Sequence, residues 1–261
     1  MRFSPITFEK WHALGNSYLL LERAALGRPL EPDQARLLCD SGEGVGADGV
    51  VEVLSTDGPR AEIAIWNPDG SRAEFSGNGT RIAAAWLLRQ GGEDVTVSVS
   101  GRDYAATRRD GEIALEIGAV DVGEPETIVV GREEIELTPV SVGNPHAVVR
   151  REPRREELLR LGPLLERHER FPQRTNVQFV RIDDNHAISA VVWERGAGET
   201  SASGSSAVAV AAAAIANGWC ESPIKIRMPG GELDVAVTAD MRATLTGPAE
   251  RICEGEVNVP E

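Results

Sequence analysis

The feature that most constrains the fold of this chain is a pattern that occurs twice: a strand, a Gly-rich polar turn, small hydroxyl residues and an apolar helix. One copy is residues 193–218, WERGAGETSASGSSAVAVAAAAIANG. Its helix is apolar on nearly every side, which predicts burial, and at roughly a dozen residues it is too short to span a membrane. Ser203, Ser205 and Ser206 are N-cap candidates, and the N–H groups at such a helix start favour an anion.

The other copy is residues 67–88, NPDGSRAEFSGNGTRIAAAWLL. Nine positions separate Asn67 from Ser76, and nine separate Glu194 from Ser203. Upstream, ALGNSYLLLE (13–22) parallels SVGNPHAVVR (141–150). An internal duplication explains this order. It predicts two similar lobes, residues 1–120 with 248–261 and residues 121–247, each with a helix N-terminus directed into a shared cleft.

Asn16 precedes Ser76 by 60 positions, and Asn144 precedes Ser203 by 59, so the upstream turns keep the same register. Short alternating strands fill most of the remaining chain, which indicates an α+β fold. Further helices are predicted at DQARLLCDS and at ELLRLGPLLERH, the latter broken or kinked at Gly162-Pro163.

Charge and cysteine usage exclude several classes of protein. The net charge of −14, without a basic run, argues against nucleic-acid and anionic-membrane partners. The N-terminus has no apolar signal-peptide region, so a cytoplasmic protein is expected. Cys39, Cys220 and Cys253 lack metal-ligand spacing and are expected to be three unpaired thiols. The loop GEGVGADG lacks the Lys-Ser/Thr ending of a phosphate-binding loop, and neither a metal nor another cofactor is expected.

Two positively polarised helix ends that face one cleft suit one carboxylate between them. Binding a carboxylate there makes the adjacent C–H more acidic and favours proton abstraction. His12, His168 and His186 are interpreted as structural or surface residues, whereas His146 lies opposite a Ser-Gly turn in the duplicated frame. The candidate polar groups on the cleft loops are Asn16, Asn67, Asn78, Asn144, His146, Asn176, Glu194 and Arg195.

The chain resembles the diaminopimelate epimerase family. The matching segments are HALGNSY, GVGADG, IWNPDGSRAEFSGNGTRIAA, VGNPHAVV, TNVQFV and WERGAGETSASGSSAVA, spread over residues 8–211. The resemblance implies two pseudo-symmetric lobes, each a barrel-like β-sheet wrapped around a buried central helix. It also implies a PLP-independent isomerase of lysine biosynthesis that uses one acid/base group on each face of the substrate's α-carbon.

The resemblance further implies where the substrate is held. Its α-carboxylate would lie between the helix starts at Gly77-Asn78 and Gly204-Ser205. Asn67, Asn176, Glu194 and Arg195 match positions that hold the substrate, including its far amino-acid end. The full expected substrate-binding set is Asn16, Asn67, Gly77, Asn78, Asn144, Asn176, Arg195, Gly204 and Ser205.

This chain departs from the family pattern at the acid/base positions. The family has cysteines where Ser76 and Ser203 stand here. A thiol has a pKa near 8.5 and can exchange a proton, whereas a serine hydroxyl alone is a poor general base. Two further family cysteines are Ile82 and Val208, the Gly-Thr-Gly after the second cysteine reads Gly204-Ser205-Ser206, and the glutamine that commonly ends the Gly-rich loop is Gly49.

Three functions therefore remain open. The first is an epimerase of LL- and meso-diaminopimelate or a close relative, with Ser76, Ser203, His146 and Glu194 as the catalytic candidates. In that case His146 and Glu194 transfer protons, while the serines relay protons or donate hydrogen bonds. The second is a proton-shift isomerase of the phenazine-biosynthesis type on another small acid. The third is a catalytically disabled amino-acid-binding homologue or a Cys-to-Ser engineered form. The expected partner is a small amino acid, and a homodimer is compatible with the sequence.

Overall fold

A computed structural model describes residues 3–260 of the chain. Contacts divide the chain into two compact units, Met1–Leu115 together with Pro248–Glu261, and Glu116–Gly247. Each unit combines short strands with one long buried helix, so the predicted two-lobe α+β fold is confirmed. No helix in the described range 3–260 has both the length and the apolar character needed to cross a membrane.

The elements of the first unit follow the duplicated order expected from the sequence. They are β1 (Phe3–Ala13), β2 (Asn16–Glu22), α1 (Arg23–Leu26), α2 (Pro32–Cys39), β3 (Val50–Asp57), β4 (Arg60–Trp66), β5 (Arg72–Ala73), α3 (Gly77–Arg89), β6 (Asp94–Val99) and β7 (Arg102–Arg109). Strand β8 (Glu112–Ala119) crosses the boundary between the units.

The second unit repeats this order with longer connections. Its elements are β9 (Asp121–Val122), β10 (Glu126–Val130), β11 (Glu133–Ser141), β12 (Pro145–Arg150), α4 (Arg155–Glu166), β13 (Asn176–Asp184), β14 (Ala187–Glu194), β15 (Gly198–Thr200), α5 (Gly204–Ala216), β16 (Ile224–Met228), β17 (Gly231–Val237) and β18 (Arg242–Gly247). The last strand, β19 (Glu250–Pro260), pairs antiparallel with β1.

Strand pairing is the same in the two units. In the first, β1–β2 is antiparallel, β2–β3 parallel, β3–β4 antiparallel and β4–β6 parallel. In the second, β11–β12, β12–β13, β13–β14 and β14–β16 repeat these four relations. Even the register shifts correspond, between Val53 and Ser55 and between Ile182 and Asp184. The pairing confirms the internal duplication.

The central helices α3 and α5 are buried because they carry almost no polar face. Helix α3 packs against β1, β2, β3, β4, β6 and β7, and α5 packs against β11, β12, β13, β16, β17 and β18. Every residue of α5 from Gly204 to Ala214 is buried. Parallel strand pairs need a crossover connection, and here α3 and α5 provide the crossovers from β4 to β6 and from β14 to β16.

Helix α4 runs through Gly162-Pro163 as one element, so of the two predicted alternatives the break is wrong, and the kink stays a prediction. Leu158 and Leu161 before the proline and Leu165 after it are all buried in one apolar cluster. A Cβ added at Gly162 would lie 2.8 Å from Trp193 Cγ, which explains the glycine. Packing on both sides of the proline thus outweighs the lost backbone hydrogen bond.

Candidate active site

Ser76 caps the central helix of the first unit. Its backbone is extended, with φ −139° and ψ 118°, and its Oγ accepts a hydrogen bond from the Gly79 N–H at 3.1 Å. The Tyr18 hydroxyl lies 3.0 Å from the same Oγ. Gly77 and Asn78 form the first turn of α3, where the unpaired amide dipoles carry partial positive charge. The serine oxygen and the polarised helix start are therefore adjacent.

Asn16 and Asn78, two predicted substrate-binding residues, are in direct contact. The Asn78 side-chain amide donates to Asn16 Oδ1 at 2.9 Å. The Arg81 guanidinium in turn donates to Asn78 Oδ1 at 2.9 Å and to the Gly77 carbonyl at 3.3 Å. These bonds fix which end of each amide faces its neighbour, so the amide N–H groups of Asn16 are left to donate elsewhere.

Arg81 is a fully buried cation, the fifth residue of α3. Burial lowers the pKa of Arg81 to about 10, and the charges of Glu112 and Tyr18 act in the opposite direction. A guanidinium with that pKa stays charged at neutral pH. The sequence reasoning did not select Arg81, although a single cation inside an otherwise apolar helix was a visible signal.

Asn67 lies at the end of β4, in a turn. Its backbone N–H donates to the Ser71 carbonyl at 2.8 Å, and its side-chain amide donates to Ser71 Oγ at 2.9 Å. Glu52 holds the end of this strand in place. The Glu52 carboxylate has no exposed surface and accepts hydrogen bonds from Trp66 Nε1 at 3.0 Å and from Arg23 at 2.8 Å. The turn that carries Asn67 is thereby anchored to the core.

His146 in the second unit is buried and hydrogen-bonded at both ring nitrogens. The Gln178 side-chain amide lies 3.0 Å from Nδ1, and Asn144 Oδ1 lies 2.9 Å from Nε2. An amide nitrogen only donates, so Nδ1 is the acceptor and the proton is on Nε2, which donates to Asn144. Burial, and secondarily the charge of Arg195, lowers the pKa of His146 to about 3. The ring is neutral at physiological pH.

Gln178 was not selected from the sequence, yet it is central to this cluster. It has no exposed surface, and besides its bond to His146 it donates to Ser206 Oγ in α5 at 3.0 Å. Both the strand β12 and the helix α5 are therefore tied to one amide. The alternation of the strand TNVQFV indicates that Gln178 faces inward, but an inward glutamine in a strand is not by itself a functional signal.

Asn176 connects the Gly-Asn turn with the loop that carries Arg195. Its amide donates to the Pro145 carbonyl at 2.9 Å, and its Oδ1 accepts from the Arg195 backbone N–H at 2.9 Å. The Arg195 guanidinium reaches the Gln173 carbonyl at 3.3 Å. Asn176 and Arg195 are thus brought together, as the sequence motifs predicted, through a backbone contact.

The loop at Glu194–Gly198 closes a tight turn between β14 and β15, with Gly196 at φ 80° and Gly198 at φ 86°. Glu194 is half-buried at the strand end. The buried Glu166 carboxylate holds this loop, accepting from the Gly196 N–H at 3.0 Å and from Trp193 Nε1 at 2.8 Å. Glu166 has the same relation to Trp193 that Glu52 has to Trp66.

Ser203, Gly204 and Ser205 form the buried start of α5. Ser203 is at the N-cap with an extended backbone, as predicted, but its side chain makes no capping hydrogen bond, unlike Ser76. Ser205 and Ser206, the alternative N-cap candidates, lie inside the first turn, so that part of the prediction is wrong. The two helix starts are equivalent in backbone and different in the hydrogen bonding of their serines.

Cysteines and lysines lie apart from these clusters. Cys39, Cys220 and Cys253 are free thiols, as expected. Within residues 3–260 no group of His, Cys, Asp and Glu side chains is arranged to hold a metal ion. Lys10 donates to the Gly46 carbonyl at 2.6 Å, and Lys225 pairs with Glu232 and Asp234.

Comparison with known proteins identifies the family. The model of the family described as diaminopimelate epimerase matches residues 8–128 and 138–252. The chain belongs to the diaminopimelate epimerase family. It is 35% identical to diaminopimelate epimerase 2 of Nostoc sp., over 96% of this chain and 95% of that protein. It is 36% identical to the diaminopimelate epimerase of Azotobacter vinelandii, over 97% of this chain and 99% of that protein.

Solved structures with the same fold are more distant in sequence. A probable proline racemase from Agrobacterium radiobacter superposes with a TM-score of 0.75 at 20% identity, covering 97% of this chain and 92% of that chain. A phenazine biosynthesis protein of the PhzF family from Bacillus anthracis gives 0.71 at 14% identity, covering 97% and 99%. These likenesses show the fold, while the family is shown by the relatives above.

Proposed function

We propose that this chain is a cofactor-independent epimerase that interconverts LL- and meso-diaminopimelate, or a close relative, by α-proton transfer. The observation that carries the proposal is the amide chain at the start of α3, in which buried Arg81 fixes Asn78 and Asn78 fixes Asn16. Orienting two amides by a buried cation beside a helix N-terminus suits recognition of a carboxylate. The relatives of similar length are diaminopimelate epimerases, which supports the choice of substrate.

In this proposal the N–H groups at the helix start Gly77-Asn78 bind the substrate's α-carboxylate, and the equivalent start at Gly204-Ser205 has the same donors. Charge develops on that carboxylate as the α-proton leaves, and preorganised N–H donors stabilise it. Asn67, Asn144, Asn176 and Arg195 would hold the rest of the substrate, including its second amino-acid end. A substrate held in this way carries an amino-acid group at each end, as diaminopimelate does.

Ser76 and Ser203 are the proton-transfer candidates in this proposal, with Glu194 as a further one. The geometry supports a different role for His146 than the sequence suggested. With a pKa of about 3 and both ring nitrogens bonded, a neutral imidazole is a poor general base at physiological pH. We assign His146 to orienting Asn144, while the serines and Glu194 remain the proton-transfer candidates.

The experiment that tests the proposal is proton NMR of LL- and meso-diaminopimelate with the protein in D₂O. Loss of the α-proton signal is expected, because a proton removed by the protein is replaced by a deuteron. A doubly substituted variant, Ser76→Cys with Ser203→Cys, is the matched control for a correctly formed site. Exchange by the cysteine variant alone would mean that the natural chain binds the substrate without turning it over.

A second candidate is a proton-shift isomerase that acts on another small acid. Two observations favour it: serines stand at both acid/base positions, and the fold superposes on a protein of the PhzF family. The two candidates differ in product, because a proton shift moves a double bond and an epimerase only inverts a centre. A screen of unsaturated small acids for a displaced double bond distinguishes them.

A further inference from the structure

Tyr18 joins Ser76 in a pair of hydroxyls at the start of α3. The Tyr18 hydroxyl oxygen and Ser76 Oγ are 3.0 Å apart, and either can donate the hydrogen bond. Tyr18 is 7% exposed, so the pair is largely shielded from solvent. A buried tyrosine hydroxyl usually finds a hydrogen-bond partner, and here that partner is the serine at the start of the central helix.

The space that Tyr18 occupies depends on Gly49. A Cβ added at Gly49 would lie 2.5 Å from Tyr18 Cε1 and 2.8 Å from the Trp66 carbonyl oxygen. Any other residue at position 49 would therefore displace the tyrosine ring or the strand end. Ser76 and Gly49 are two positions at which this chain departs from its family's pattern, and both are neighbours of the Tyr18 side chain.

The adjacent strand β3 carries the buried carboxylate of Glu52, and the buried charge that acts on Tyr18 is the guanidinium of Arg81. Its interaction with a tyrosine anion is favourable, and burial leaves that interaction poorly screened. The carboxylates nearby are the exposed Asp48 and the half-buried Glu112, which water screens more strongly. The charged and titratable groups on elements packed around Tyr18 include Glu9, Lys10, His12, Asp48, Glu52, Arg81 and Glu112.

We propose that Tyr18 is the proton acceptor that acts through Ser76, so that the two hydroxyls together replace a single thiol at this helix start. Tyr18 is a positioning and relay residue, because only Ser76 would contact the substrate. The inference rests on the proposed function, because that function supplies the substrate. The proton coupling between Tyr18 and Ser76 is independent of it and can be measured without substrate.

The hydrogen-bonding capacity of Ser76 allows such a relay. Its oxygen has two lone pairs and one proton. One lone pair accepts from the Gly79 N–H. In the proposed relay the Ser76 proton is donated to Tyr18 as a phenolate, and the 3.0 Å contact allows either hydroxyl to donate. One lone pair remains for the substrate's α-proton. As that proton reaches Ser76 Oγ, the hydroxyl proton of Ser76 moves to Tyr18, and the C–H electron pair stays on the substrate as an enolate. Direct reversal returns the proton to the same face, and a deuteron is returned there only after the protons on Ser76 and Tyr18 have exchanged with D₂O.

The first measurement is α-proton exchange in D₂O as a function of pH, with the variants Tyr18→Phe and Tyr104→Phe. Tyr104 is the matched control, because it is the other tyrosine, is buried in the same unit and stacks on Phe75 next to Ser76. Tyr18→Phe should lower exchange by about 100-fold or more and remove its rise at alkaline pH. Tyr104→Phe should retain both. Equal exchange rates and pH profiles for the two variants would overturn the relay.

Ser76→Cys provides the rescue. A thiol titrates on its own, with a pKa near 8.5, so Tyr18→Phe should have little effect on exchange in the Ser76→Cys background. If Tyr18 only supported the fold, its removal would lower exchange equally in both backgrounds. The same loss with serine and with cysteine at position 76 would therefore contradict the inference.

The second measurement needs no substrate. In Tyr104→Phe, Tyr18 is the sole tyrosine, so phenolate absorbance reports on Tyr18 alone, while circular dichroism verifies the fold at each pH. Tyr18 should ionise reversibly in the folded protein, and Ser76→Ala should raise the midpoint by about one pH unit, because a hydrogen bond to the phenolate is lost. An unchanged midpoint overturns the relay. A raised midpoint without α-proton exchange would instead retain the proton coupling and reject the epimerase.

Discussion

Replacing Glu166 by alanine should destabilise the second unit and loosen the loop that carries Glu194 and Arg195. The carboxylate is 3% exposed and accepts from Trp193 Nε1 at 2.8 Å and from the Gly196 N–H at 3.0 Å. The substitution removes the acceptor and leaves both donors. Sequence position gives no hint of this role, because Glu166 ends a different helix.

The size of the effect follows from those two donors. A buried donor left without an acceptor costs about 1–3 kcal/mol, so two give about 2–6 kcal/mol in the free energy of unfolding. The Arg174 guanidinium, 3.6 Å from the carboxylate, adds little because it is half exposed. Glu166→Gln keeps one acceptor oxygen and should lose about half as much.

Urea denaturation of the wild type, Glu166→Ala and Glu166→Gln measures these differences. Glu169→Ala is the control, because Glu169 is an exposed carboxylate three positions along the chain, and it should stay within about 0.5 kcal/mol of wild type. A loss below about 1 kcal/mol for Glu166→Ala would refute the reasoning. In the proposed enzyme Glu166→Gln should also raise KM more than it lowers kcat, because the loop would bind substrate less well.

Two further predictions concern His146 and the helix caps. The folded-state pKa of His146 is depressed, to about 3, so its contribution to stability is complete above the ordinary pKa of about 6.5 and decreases as pH falls towards 3. Between pH 7 and pH 5 the free energy of unfolding of the wild type should fall by about 2 kcal/mol more than that of His146→Gln. Urea denaturation at the two pH values measures this difference, and equal pH slopes would contradict the prediction. Ser76→Ala should reduce thermal stability by about 1 kcal/mol, and Ser203→Ala by less, because only Ser76 caps its helix; equal losses would remove the asymmetry.

The repeated organisation of the fold was predictable because its signals are local. A glycine turn before an apolar run marks a helix start from neighbouring residues alone, and it marks the starts of both α3 and α5. The duplicated spacing then related the two units without any structural information. The same frame also aligned Tyr18 with His146, each two residues after a turn asparagine, but the contact of Tyr18 with Ser76 spans 58 positions and needed the structure.

The residues that sequence reasoning missed act through distant partners. Glu166 bonds to Trp193, 27 positions away, and Gln178 bonds to His146, 32 positions away. Neither belongs to a motif with a recognisable spacing. The unbroken course of α4 through Pro163 has a related cause, since tertiary packing of Leu158, Leu161 and Leu165 holds the helix together across the proline.

The most direct test of the proposed function is the approach to equilibrium from both sides. LL-diaminopimelate and meso-diaminopimelate are incubated separately with the protein, and the isomers are separated by chiral chromatography. The proposal predicts that both incubations reach the same mixture of isomers. Two unchanged samples at high protein concentration and long times, while the Ser76→Cys, Ser203→Cys variant reaches equilibrium, would contradict it.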